Sequence, residues 1–128
     1  PLIIRNQKLY KENNLEFHCL DISKDELPNG DCIILRQVLQ HLSNIEIQGV
    51  IKKLVSYKYM ILTEHIPVGN FFPNKYIISG QGIRLKKNSG VNLLETHFDL
   101  NIIDKKQLCE YILAHNNVRI LTTLYQLF

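Results

Sequence analysis

No stretch of this 128-residue sequence comes near the roughly 18 consecutive apolar residues that a bilayer span needs. The apolar runs are short, as at Cys32-Ile33-Ile34-Leu35. No basic stretch followed by an apolar core opens the chain, so no retained signal peptide is expected in it. The chain opens on Pro1 and its single Met stands at position 60. It is therefore expected to be processed or to belong to a longer polypeptide. Cysteine is scarce: Cys19, Cys32 and Cys109 form an odd set with no C-x-x-C spacing, which argues against a disulfide framework and a zinc site. Reduced, buried thiols in a cytoplasmic setting are the expectation. There is no internal repeat, no low-complexity segment and no G-x-S-x-G, P-loop or H-E-x-x-H motif.

Charge of one sign is also lacking. Fifteen Lys plus Arg against twelve Asp plus Glu leave a net charge of +3. The only lysine pairs are Lys52-Lys53, Lys86-Lys87 and Lys105-Lys106. They read as solvated surface rather than a phosphate track, so neither nucleic acid nor membrane is expected as a partner. Apolar residues at 45% and charged residues at 21% describe an ordinary folded domain. The length suits one such domain.

The pattern along the chain predicts alternating elements. Residues 2–12 read as a helix ended by Asn13-Asn14. Residues 15–20 (LEFHCL) read as a strand by partial alternation. Pro28, Asn29 and Gly30 make a turn. The continuous run at 32–36 (CIILR) predicts a strand buried on both faces, and QVLQHL reads as a short helical turn. Ser43-Asn44-Ile45-Glu46 fits a capping box, with Ile47, Val50, Ile51 and Leu54 on one face of the helix behind it. Residues 58–67 predict a second buried strand. Strand, helix, strand implies a right-handed parallel crossover and α/β architecture. Residues 67–92 form a long, Gly- and Asn-rich connection punctuated by Phe71, Phe72, Tyr76 and Ile83, as expected of a loop that covers a binding site. A strand is considered over 91–100, and two strands over 107–114 and 118–127.

The order Asp21, Leu27-Pro28, Asp31, then Val38-Leu39-Gln40-His41-Leu42 resembles the class I S-adenosylmethionine-dependent methyltransferases. The match covers about residues 1–67, and a terminal antiparallel strand pair also suits the family. The resemblance implies a partial Rossmann-like sheet, mostly parallel, with a C-terminal antiparallel strand pair, and S-adenosylmethionine as cofactor. It implies that Asp21 accepts the adenine amine, that the Ile22 backbone meets the adenine edge, and that Arg36 and Gln37 lie near the methionine part. Asp21 as a simple turn cap and Arg36 as a surface ion-pair partner are the alternatives. His41 is the one catalytic candidate, orienting substrate or acting as base. Its alternative role, anchoring the helical turn, is the stronger reading. Glu64 and His65 end a strand at the same edge and, with Arg84 of the long loop, are the substrate-binding candidates.

The family's Gly-rich loop after the first strand, and the acidic residue after the second, have no counterpart. Gly80-Gln81-Gly82 lacks the strand-to-helix context for that role. The residues are thus expected to be the C-terminal two-thirds of a methyltransferase domain, inactive alone, acting on a small-molecule or macromolecular acceptor. Unpaired sheet edges would then invite pairing between copies. A non-catalytic methyltransferase-like binding or assembly module is the competing expectation.

Overall fold

The computed structural model describes residues 1–95 and 97–128. Its elements are helix α1 (Leu2–Leu9), strand β1 (Cys32–Arg36), a 3-10 turn (Leu39–His41), helix α2 (Asn44–Leu54), strand β2 (Tyr59–Pro67), a second 3-10 turn (Arg84–Lys87), and strands β3 (Asp104–Leu113) and β4 (Val118–Gln126).

Helix α2 starts where the sequence says it should. The Ser43 side chain accepts the Glu46 backbone N–H at 3.3 Å, and the Glu46 carboxylate accepts the Ser43 N–H at 3.1 Å. This reciprocal pair satisfies two otherwise orphaned donors. Ile47, Val50 and Leu54 then bury against Leu35, Met60 and Leu62 of the sheet. Each fully buried aliphatic side chain contributes about 1.5–3 kcal/mol of transfer free energy. Val91, Leu93 and Phe98 complete this core although 91–95 and 97–100 form no strand. Thr96, inside the segment considered as a strand, lies outside the described residues.

The sheet runs β1-β2-β4-β3. β1 and β2 pair in parallel, from Cys32 opposite Tyr59 to Arg36 opposite Thr63, and α2 makes the crossover between them. β4 pairs antiparallel with both β2 and β3. This overturns the mostly parallel, Rossmann-like sheet. Only one of the three pairings is parallel, because the β-branched run 118–126 inserts between β2 and its hairpin partner β3.

Three further expectations are corrected. Residues 15–20 form no strand; their only pairing is one bridge between Glu12 and Leu15. Their backbone finds no neighbouring edge, and an isolated strand is not stable in water. β1 is not buried on both faces: only Leu35 is buried, and Ile34 is 69% exposed. β1 is an edge strand whose second face is uncovered. The three cysteines are free, but all are exposed rather than buried.

Candidate functional site

Strands β1 and β2 run parallel, and β1 ends at Arg36 opposite Thr63 while β2 continues past it to Pro67. Arg36 is the last residue of β1. At Gln37 the backbone turns left-handed, with φ of 56°, while its N–H donates to Thr63 O at 2.7 Å. A non-glycine residue in that region is strained, and such positions cluster at functional sites. The turn throws residues 38–42 across the end of the sheet, where a web of buried polar contacts holds them.

Glu64 is the base of that web. Its carboxylate accepts the backbone N–H groups of Leu39 and Gln40, each at 3.1 Å. Burial pushes its pKa up to about 8, opposed by those two N–H groups and by the nearby Arg84 charge. Gln40 links the same turn back to β2, its Oε1 accepting His65 N–H at 2.9 Å. Arg84, only 1% exposed, donates to Lys75 O, Gln40 O, Leu42 O and Asn44 Oδ1. Burial holds its pKa below the ordinary guanidinium value, with the Glu64 carboxylate pulling the other way.

His41 binds the long loop to the turn. Its Nδ1–H donates to Gly80 O at 3.1 Å, and Gly80 N–H donates back to His41 O at 3.0 Å. The Gln40 side-chain amide lies 3.4 Å from His41 Nε2. Both ring nitrogens thus face a polar partner. The loop itself is folded. Asn74 exchanges two hydrogen bonds with the Asn92 backbone, each 2.8 Å. Ser89 Oγ donates to Phe72 O and accepts from Lys75 N–H. Gly90 lies so close to β2 that an added Cβ would sit 2.7 Å from Ile66 Cγ2.

The structure therefore brings together Arg36, Gln37, His41, Glu64, His65 and Arg84 around one end of the parallel pair. Consecutive strand residues point to opposite faces, so Glu64 and His65 do not share one. Glu64 is spent on backbone donors, whereas His65 Nδ1 is buried without a partner among the described residues. Asp21 and Ile22 stand apart. Asp21 Oδ1 accepts Ser23 N–H at 2.9 Å and Ser23 Oγ–H at 2.6 Å, the Asx-turn arrangement. The Ser23 hydroxyl bond, seconded by its N–H, holds the carboxyl below its ordinary pKa. Ile22 packs on the core, and its carbonyl accepts Lys53 Nζ–H from α2 at 2.9 Å. Gln40, Asn74 and Ser89, central to the web, carry no spacing signal in the sequence; only the Pro73-Asn74 turn chemistry marks one of them.

The chain matches no family model and no curated protein. No helix among the described residues is long and apolar enough to cross a membrane.

Proposed function

We propose that these residues serve S-adenosylmethionine-dependent methyl transfer within a longer chain. The observation that carries the reading is the β1–α2–β2 parallel crossover, with Arg36 and a strained Gln37 at its carboxyl end. In open α/β sheets ligands bind outside the carboxyl ends of the strands. The ordered Asp21, Asp31 and Val38–Leu42 pattern supports the same reading. The unpaired outer edge of β1 and the unpartnered run 15–20 favour a larger sheet, completed by other residues of the longer chain or by a second copy.

The residues present fit the cofactor in kind. Asp21, whose pKa its Ser23 contacts lower, offers a carboxylate as acceptor for an adenine amine. The Ile22 backbone follows it, and Arg36 offers a guanidinium suited to a carboxylate. The bound sulfonium supplies an activated methyl group, which a nucleophile's lone pair takes as the S–C bond breaks. The chain supplies alignment, worth several kcal/mol of barrier. The Glu64–Gln40–Arg84 web fixes residues 38–42, and His41 acts as a positioning residue that ties the loop to them. His65, with its unengaged ring nitrogen, is the side chain left to meet the methyl acceptor. Exposed free thiols suit the reducing cytoplasm.

A second reading, a non-catalytic methyltransferase-like binding module, draws on one fact: His41, Glu64 and Arg84 are all engaged in internal bonds. Isothermal titration of the full-length protein with S-adenosylmethionine separates the two. Methyl transfer predicts saturable binding, weakened at least ~10-fold by Asp21→Ala, the size of a lost charge-assisted hydrogen bond. Absence of binding by the full-length protein contradicts it and leaves the binding module.

A further inference from the structure

A second site lies away from the carboxyl ends of β1 and β2. A cavity of about 340 Å³ opens between β3–β4 and the loop segments that pass over them. That volume is within the range of small-molecule pockets. Its apolar wall is Ile66, Phe71, Leu94 and Leu121, and its floor carries the cations Arg119 and Lys105. The strand register explains the grouping. Lys105 faces Tyr125, Gln107 faces Thr123 and Arg119 faces Ile66, so their side chains fall on the sheet face that α2 partly covers and the loop roofs.

The charges there are incompletely matched. Arg119 Nη1 donates to Glu110 Oε1 at 2.9 Å, but among the described residues Arg119 Nε is buried without a hydrogen-bond partner. A buried donor left unsatisfied is costly and favours an acceptor brought by a ligand. Among the described residues Lys105 Nζ has no ion pair. Arg119 thus keeps a buried, unengaged Nε, and Lys105 an unpaired charge, in a cavity with an apolar wall.

We infer that this cavity binds a small organic carboxylate with an apolar body, the body against Phe71 and Leu121 and the carboxylate toward Arg119, with Lys105 adding positive charge at the far end of the same cavity. The assignment is independent of methyl transfer. Octanoate, with octanol as its uncharged counterpart, tests it in the full-length protein by calorimetry and by the Arg119 Nε–H resonance in nitrogen-15 spectra. Octanoate is expected to bind saturably, move that resonance, and bind at least ~10-fold more tightly than octanol, as a hydrogen-bonded charge requires. Lys105→Gln, at an exposed position, is expected to weaken octanoate about 3-fold and leave octanol unchanged. Glu110→Gln frees Arg119 and is expected to tighten octanoate. Equal binding of the two probes, an unmoved Arg119 resonance, or no response to either substitution overturns the inference.

Discussion

Two runs with similar apolar content meet opposite fates. LEFHCL at 15–20 stays without strand structure, with Leu20 44% exposed, while CIILR at 32–36 becomes β1. The difference is a partner. β1 has β2 alongside it in parallel register and α2 over Leu35. Residues 15–20 have no edge to join; their carbonyl at Phe17 accepts only a side-chain N–H from Gln7. Strand propensity reports fitness for a pleated, half-buried surface and does not create that surface.

The same contrast separates the body of the molecule from its first 30 residues, and substitutions on either side should behave accordingly. The largest effect is expected at Arg84→Met. Losing the guanidinium leaves Gln40 O, Leu42 O, Lys75 O and Asn44 Oδ1 without their donor. Breaking such a buried charged network costs about 3–5 kcal/mol, readable as a drop in urea midpoint. A loss below ~1 kcal/mol would place Arg84 with ordinary surface residues.

Next comes the pH dependence set by Glu64. The unfolded chain gives up this proton near the ordinary 4.5, the folded chain near 8. Between those values the folded state holds more protons, so stability falls as pH rises, by on the order of a few kcal/mol in total. Glu64→Gln removes the titration, and its stability profile from pH 5 to 9 should be flatter than that of the wild type. Parallel profiles would contradict the assignment.

Gly90→Ala is expected to cost about 1–3 kcal/mol, because the new methyl must displace Ile66 on β2. By contrast, Leu20→Ser in the unpaired run should change stability by under ~0.5 kcal/mol. A Leu20 effect as large as that of Gly90 would erase the contrast between the two regions.

What the sequence disclosed was local. The Ser43–Glu46 box and the Ile47, Val50, Leu54 face depend on residues within two turns, and they stand as read. The hairpin over 104–126 follows from two β-rich runs around a polar turn. The unreadable parts depend on distant pairs. Glu64 reaches backbone donors 25 and 24 residues away, and Arg84 meets two carbonyls and an amide across 40 to 44 positions of chain. No spacing rule announces such contacts. Arg84 therefore read as a substrate ligand although its donors are used within the fold. The sheet misled for a related reason: β4 is as compatible with β2 as with β3, and its insertion between them makes the sheet mixed. Val91, Leu93 and Phe98 had the composition of a strand but enter the core from segments with no strand structure.

The central claim is that the carboxyl end of the β1–β2 pair and the Asp21 turn serve one methyl-donor site in the full-length protein. Hydrogen–deuterium exchange of that protein with and without S-adenosylmethionine tests it most directly. The cofactor is expected to slow amide exchange both at residues 19–23 and at residues 36–42. Unchanged exchange in those two segments at saturating cofactor, or protection confined to other parts of the chain, would contradict it.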